Sequence, residues 1–275
     1  MSTSTDTDEV LVTVSDRIAV VTLNRPDRRN AVTDSMLAAL GDAIERAEQS
    51  DDVRVLVLTG AGGAFCAGGD VKDFNAQGGE GSGADEVDPA RVAAQQRLQR
   101  ATVQRLYEFP KPTIAALPGA VAGAGIGLAL ATDLRVASTT MVLATAFTRV
   151  ALSGDYGATW LLQRAIGRSR TLELMYSSAR VDAARALELG LVNSVTAPDE
   201  LDAFVSELAG TLARGPQTAF LEVKRNVNEN EALPLGEAMD REVMGHMRCG
   251  ITTDHREAVA AFVEKRSPRF EGAPT

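Results

Sequence analysis

Two runs of small residues could each present backbone N–H groups to a ligand. The first is Ala64 to Val71 (AFCAGGDV), and the second is Pro118 to Gly127 (PGAVAGAGIG). Small side chains let the main chain approach a ligand closely, and N–H groups at a helix start attract negative charge. Two such turns could direct one donor each at a single carbonyl oxygen, which would make an oxyanion hole.

Each run also has a structural interpretation. The first could be a tight turn from strand to helix, and the second could be small residues at a helix contact. A dinucleotide-binding loop is a further candidate for the second run. However, neither Gly123 nor Gly125 begins a G-x-G-x-x-G sequence, and the run lies deep in the chain.

The elements around the two runs alternate between strand-like and helix-like patterns. We predict strands at 10–23 (two, around a turn at Ser15-Asp16), 53–58, 113–116, 134–137 and 141–144, and helices after Thr33 and at 91–109. The order strand, glycine-rich turn, helix predicts an α/β fold with its ligand site at the carboxyl ends of strands. Residues from 182 onward are predicted to be mainly helical, with a helix start at 198–200. Residues 77–89 form a polar loop, either a flap near a site or an inert surface segment.

Bulk properties exclude several classes of protein. A net charge of −9 argues against general binding to nucleic acid or anionic membranes. Two cysteines and two histidines without ligand spacing predict neither a disulfide framework nor a metal site. The first nine residues lack the features of a signal peptide, and no apolar run is long enough to span a bilayer. We therefore expect a soluble, cytoplasmic protein.

Several motifs along the chain resemble those of the crotonase (enoyl-CoA hydratase/isomerase) family. They are, in order, Asn24-Arg25-Pro26 with Asn30-Ala31, Phe65 to Asp70, Pro112 to Ala116, Gly123-Ala124-Gly125, the stretch from Ala183 to Asn193, and Phe262 to Arg266. The resemblance covers nearly the whole chain from Val10.

The resemblance implies an α/β fold of the crotonase/ClpP-like type, a spiral of β-β-α units with a helical C-terminal trimerisation region. It divides the chain into a disordered tail (1–9), a spiral core (10–198) and a helical region (199–275). It also implies a homotrimer or a dimer of trimers, and an acyl-CoA substrate whose coenzyme A part is not a tightly bound cofactor. The oxyanion-hole donors would be the amides of Gly69 and Ala124.

The carboxylates that hydratases of this family use are missing. In those hydratases one glutamate occupies the position that Gly127 has here, and the other lies near the positions of Phe147 and Thr148. Asp155 remains, in a segment that resembles the ring-epoxide and oxepin-CoA isomerases of phenylacetate breakdown. One carboxylate can take a proton from one carbon and return it to another if the enolate is held meanwhile.

Other roles for Asp155 stay open from the sequence. It could cap the next helix, activate an ordered water in a hydratase, or attack as a nucleophile as in 4-chlorobenzoyl-CoA dehalogenases. The chain could also be a non-catalytic acyl-CoA-binding oligomer. An apolar wall from Phe147, Tyr156 or Trp160 would favour the protonated form of the carboxyl group.

Residues for binding coenzyme A are carried over from the family. Arg28 and Arg29 lie in the loop that relatives use against the adenosine and phosphate end, and Phe262 and Lys265 match residues that reach it, often from a neighbouring subunit. Three residues of the first small-residue run are also carried over as coenzyme A-binding residues: Ala67, Asp70 and Val71. Cys66, in the same run, is predicted to be a buried apolar residue.

Overall fold

The computed structural model describes residues 9–70 and 86–271, so Val71 and most of the predicted polar loop lie outside the described residues. Strands β1 to β9 are Val10–Ser15, Ile18–Leu23, Val55–Gly60, Thr113–Leu117, Val121–Ala122, Leu134–Ser138, Val142–Ala144, Arg180–Asp182 and Ser194–Thr196. Helices α1 to α10 are Asp34–Gln49, Pro89–Gln99, Arg105–Tyr107, Ala124–Leu130, Ala158–Ser177, Ala183–Leu189, Leu201–Ala213, Gln217–Asn230, Leu235–Gly250 and Thr253–Glu264. A π-helical turn, Arg100–Gln104, joins α2 to α3.

The strands form a larger and a smaller sheet. The larger has the order β1-β2-β3-β4-β6-β9, with an antiparallel β1–β2 hairpin and parallel pairs thereafter. The smaller has the order β5-β7-β8. Strands β4 and β6 are each followed by a short strand of the smaller sheet, and β5 leads into α4. This succession agrees with the predicted β-β-α units.

Strand β3 shows why the larger sheet is apolar on both faces. Leu56 and Leu58 belong to the main core with Leu37 and Leu40 of α1. The alternate residue Val57 belongs to a second cluster, which α7 covers. Successive side chains of a strand point to opposite faces, so a parallel strand covered on both sides reads as a continuous apolar run. Helix α7 therefore packs on the sheet, although its residues fall in the predicted helical C-terminal region.

Some predicted boundaries differ from the structure. The hairpin turns at Asp16 and Arg17, whose φ angles of 50° and 65° match the left-handed geometry of a two-residue turn. Glu9, assigned to the disordered tail, is described, and its carboxylate lies 3.2 Å from the Arg25 guanidinium. The helix start predicted at 198–200 is confirmed, because Glu200 is the N-cap residue of α7, which begins at Leu201 without a side-chain capping hydrogen bond.

The C-terminal helices are tied to the sheet by a partly buried ion pair. Asp133, between α4 and β6, accepts hydrogen bonds from the Thr113 backbone N–H at 2.8 Å and its hydroxyl at 3.0 Å. Its other carboxylate oxygen lies 2.9 Å from Lys224 Nζ of α8. Burial lowers the pKa of Lys224, and the Asp133 carboxylate opposes that shift. Among the helices of the described residues, we find none with the length and apolar character needed to cross a membrane.

Asp133→Asn should lower the free energy of unfolding by about 2 kcal/mol, because it leaves the Lys224 ammonium largely buried without its counter-charge. Chemical denaturation measures the change. Asp42→Asn, an exposed change on α1, is the matched control and should stay within about 0.5 kcal/mol. Equal stability of the two variants would show that the pair does not anchor α8.

Candidate active site

The two small-residue runs meet backbone to backbone at Gly68 and Gly123. A Cβ on Gly68 would lie 2.9 Å from the Ala122 carbonyl oxygen and 3.2 Å from Gly123 Cα. A Cβ on Gly123 would lie 3.3 Å from Gly68 Cα. Both residues also have positive φ angles, 88° and 50°, which favour glycine. The backbone conformation therefore favours glycine at both positions, and the space for a side chain is most restricted at Gly68.

Main-chain hydrogen bonds fix the register between the turns. The Cys66 N–H donates to the Ala120 carbonyl at 3.0 Å, and the Ala122 N–H donates to the Cys66 carbonyl at 2.8 Å. Gly69 and Ala124, the residues after the two contact glycines, line one cavity. Within residues 9–70 and 86–271, no protein acceptor is recorded for either N–H. Because Ala124 is the first residue of α4, its N–H has no partner inside the helix.

Arg25 and Asn30 stabilise the first turn through hydrogen bonds and an ion pair. Buried Asn30 donates from Nδ2 to the carbonyls of Ala61 at 2.9 Å and Ala64 at 2.8 Å, and its Oδ1 accepts the Arg25 N–H at 2.8 Å. The Arg25 guanidinium lies 3.6 Å from the carboxylate of buried Asp70. The motif that includes Arg25 and Asn30 therefore shapes the turn, and Asp70 faces this scaffold.

The cavity between the turns has a volume of about 500 Å³, a size typical of small-molecule sites. Its wall combines backbone of the two turns with apolar side chains such as Leu37, Phe147 and Leu152. Asp155 is half-buried in this wall, and its Oδ2 accepts a hydrogen bond from Gln95 Nε2 of α2 at 2.9 Å. The cavity wall therefore combines the two amide groups with the half-buried carboxylate of Asp155.

Asp155 lies in a tight loop before α5. Gly154, Tyr156 and Gly157 have φ angles of 108°, 49° and 67°, so the chain reverses sharply around the aspartate. The residue that precedes the helix is Gly157, and α5 has no side-chain cap. The interpretation of Asp155 as a helix cap is therefore wrong.

The predicted absence of the two hydratase carboxylates has a structural counterpart. A Cβ on Gly127 would lie 2.1 Å from the Tyr156 carbonyl oxygen and 2.8 Å from Tyr156 Cβ. Tyr156 thus fills the space into which a side chain at 127 would point. The Thr148 hydroxyl donates to the Met175 carbonyl at 2.8 Å, and Phe147 lines the cavity with a side chain that cannot titrate.

Two of the three predicted aromatic wall residues line the cavity. They are Phe147 and Tyr156, both buried. Trp160 instead lines a neighbouring cavity, where it packs edge-on against Tyr107 at 5.2 Å between ring centroids. The Arg164 guanidinium lies 3.3 Å from the centre of the Trp160 ring. Tyr156 borders both cavities.

The residues carried over for coenzyme A binding are scattered in the structure. Ala67 lines the cavity, and its N–H donates to the Arg29 carbonyl at 3.0 Å. Arg28 and Arg29 have exposed side chains on the turn that flanks it. Phe262 and Lys265, at the end of α10, do not line the cavity within one chain.

The cavity also contains charged and polar residues that the sequence analysis did not single out. Asp34 stands at the start of α1, Arg91 and Gln95 lie on α2, and Arg149 lies in the 3-10 turn Phe147–Val150. The spacing of Arg91 and Gln95 places them on one face of a helix, but no motif indicated which face meets the site.

Cys66 behaves as predicted. It is fully buried, and burial raises the pKa of its thiol to about 12, so it stays protonated. In the described residues, no group of three His, Cys, Asp or Glu side chains is arranged to hold a metal ion.

Gly127→Ala should destabilise the protein by about 1–3 kcal/mol, because the new methyl group overlaps Tyr156. Without that overlap, replacing glycine by alanine inside a helix would stabilise the protein by about 1 kcal/mol. Gly236→Ala is the control, since nothing lies within 4 Å of a Cβ at that position of α9, and it should stabilise. Thermal unfolding compares the two, and a stable Gly127→Ala variant would show that the Tyr156 loop yields easily.

Comparisons with known proteins agree with this geometry. The family model described as "Enoyl-CoA hydratase/isomerase" matches residues 13–273. A 1,2-epoxyphenylacetyl-CoA isomerase of Escherichia coli (strain K12) is 36% identical, over 96% of this chain and 98% of its own. A trans-2-decenoyl-[acyl-carrier-protein] isomerase of Streptococcus mutans is 32% identical, over 97% and 99%.

Solved structures give the same result. The crystal structure of an enoyl-CoA hydratase from Polaromonas sp. JS666 matches with a TM-score of 0.88 and 31% identity, over 95% of this chain and 99% of that one. The predicted crotonase fold, mixed α/β with C-terminal helices, is confirmed. The chain belongs to the enoyl-CoA hydratase/isomerase family.

Proposed function

We propose that the protein isomerises an enoyl-CoA thioester by moving one proton through Asp155. The observation that carries the proposal is the composition of the cavity wall, which combines the Gly69 and Ala124 amides with the Asp155 carboxylate. The positions of the two hydratase glutamates hold Gly127, blocked by Tyr156, and Phe147 or Thr148. A relative with an isomerase name supports the same reaction class.

The proposed reaction balances with one acid–base group. The Asp155 carboxylate removes a proton from one carbon of the enoyl group, and the electron pair moves onto the thioester oxygen. The Gly69 and Ala124 N–H groups stabilise that enolate. The protonated Asp155 then returns the proton to the other carbon, and the double bond has moved without loss or gain of atoms.

The cavity has room for the acyl group of the substrate, but not for the whole acyl-CoA molecule. At about 500 Å³ it suits a small acyl group, and exposed Arg91 and Arg149 at its wall can meet negative charge. We propose that the phosphates of coenzyme A lie outside it, near Arg28 and Arg29, as a dissociable part of the substrate.

We also propose that the chain forms a homotrimer or a dimer of trimers. Helices α8 to α10 expose large apolar side chains, which is typical of a contact surface; they are Val223, Val227, Met239, Val243, Met244, Met247, Phe262 and Val263. In such an assembly Phe262 and Lys265 would serve the cavity of a neighbouring subunit.

Hydration of a 2-enoyl-CoA is the second candidate. Asp155 is only half-buried, so a water molecule can reach its carboxylate and be activated by it. The two candidates differ in product, because hydration gives a 3-hydroxyacyl thioester and isomerisation does not.

Asp155→Asn should reduce isomerisation by at least about 100-fold, because an amide cannot accept and return the proton. Proton NMR in D₂O, with a 3-enoyl-CoA and a 2-enoyl-CoA, follows double-bond migration and deuterium exchange at the α and γ carbons. Asp34→Asn is the matched control, since Asp34 is an exposed carboxylate at the same cavity, and it should keep activity. Full activity of Asp155→Asn would refute the proton-shuttle role. A 3-hydroxyacyl product would favour the hydratase, and tight thioester binding without any reaction would indicate a binding protein.

Ala124→Pro should reduce kcat by about 100- to 1,000-fold, because it removes one oxyanion-hole N–H. Proline is tolerated at the first position of a helix, so the fold and thioester binding should survive. Ala124→Gly keeps the N–H and should keep most of the activity. Unchanged steady-state kinetics in Ala124→Pro would exclude this amide as a donor.

A further inference from the structure

Helix α2 holds the Asp155 loop through two glutamines one helical turn apart. Gln95 Nε2 donates to Asp155 Oδ2 at 2.9 Å, and Gln99 Oε1 accepts the Tyr156 backbone N–H at 3.1 Å. Residues four apart share one face of a helix. One face of α2 therefore contacts both the carboxylate and the next peptide group of the loop.

We propose that Gln95 is a positioning residue for proton transfer: its hydrogen bond to Asp155 Oδ2 fixes the orientation of the carboxylate that takes and returns the proton. The inference rests on the proposed function of Asp155 and adds a residue to it. A side-chain amide donates a hydrogen bond but does not exchange protons near neutral pH. It can therefore orient the carboxylate in both protonation states without competing for the substrate proton.

Gln99 secures the other side of the same loop. Tyr156 is buried and has a φ of 49°, a conformation that costs free energy in a residue with a Cβ. The hydrogen bond from its N–H to Gln99 helps to hold this conformation. With both glutamines in place, the position of the Asp155 carboxylate relative to the cavity is set by α2.

The other charged and titratable groups that the described residues place at the cavity are the same in every Gln95 variant. They are Asp34 from α1, Arg91 from α2, Arg149 from the turn before the loop, and Tyr156 itself. A change confined to Gln95 leaves each of these in place. A difference in pH dependence between Gln95 variants therefore reports on the Gln95–Asp155 contact.

The test is the pH dependence of kcat/KM for isomerisation in the full-length protein, compared among four forms. In Gln95→Leu the acid limb of the profile should move up by about one pH unit, because the ionised carboxylate loses a donor. In Gln95→Glu, which preserves size and shape, the limb should move further, because a like charge opposes ionisation. Gln96→Leu, a change at an exposed residue of the same helix, should reproduce the wild-type profile. Loss of orientation should also lower kcat of Gln95→Leu by about tenfold with little change in KM.

The outcomes separate this inference from the function on which it rests. Suppose that Asp155→Asn is inactive, but that Gln95→Leu and Gln95→Glu keep the acid limb of the wild type. This result would overturn the role of Gln95 and leave the proposed function intact. An active Asp155→Asn would overturn the proposed function. If kcat falls equally in all Gln95 and Gln96 variants, the pH profiles do not shift and thermal stability is lowered, then Gln95 has a structural role. That result would reject Gln95 as a positioning residue.

Discussion

The site depends on a contact between two stretches of main chain. Gly68 and Gly123 touch without side chains between them, and hydrogen bonds between Cys66 and the Ala120–Ala122 backbone hold the two turns in register. Since each turn follows a buried strand, the sheet fixes the distance between them. The next two amides, of Gly69 and Ala124, then border one cavity. A donor pair made from backbone and held by a sheet is positioned by the fold itself, which is what the proposed stabilisation of an enolate requires.

The Asp155 carboxylate is positioned by a loop, and not by the contact between the two glycine turns. A short loop with several left-handed residues brings Asp155 into the wall, and Tyr156 wedges against Gly127 of α4. The same wedge that blocks a side chain at 127 supports the residue that we propose moves the proton. The Asp155 loop is joined to helix α2 through Gln95 and Gln99. It also contacts α4, because Tyr156 packs against Gly127 of the helix that begins with Ala124.

Much of the fold could be predicted because local signals and tertiary contacts agree. Thr33 caps α1 as expected, and β3 and β4 are apolar on both faces because helices cover both. The strands β8 and β9 were not predicted, because each has a single valine between polar residues and therefore no apolar pattern of the kind that β7 shows. Their pairing partners also lie far away in sequence. The break at the π-helical turn Arg100–Gln104 had no signal either, because periodicity over five residues does not distinguish helix types.

By itself the sequence determined which residue types are available: the two small-residue turns, a lone aspartate at 155, and no carboxylate at 127 or at 147–148. The residue types are read directly from the sequence, but the meaning of positions 127 and 147–148 comes from the resemblance to the enoyl-CoA hydratase/isomerase family. Only the tertiary structure decided that the glycine turns meet, that Asp155 faces their cavity rather than capping α5, and that Gln95 contacts it. The reason is physical: periodicity reports which face of an element is buried, but the partner of that face depends on contacts between residues about 60 positions apart.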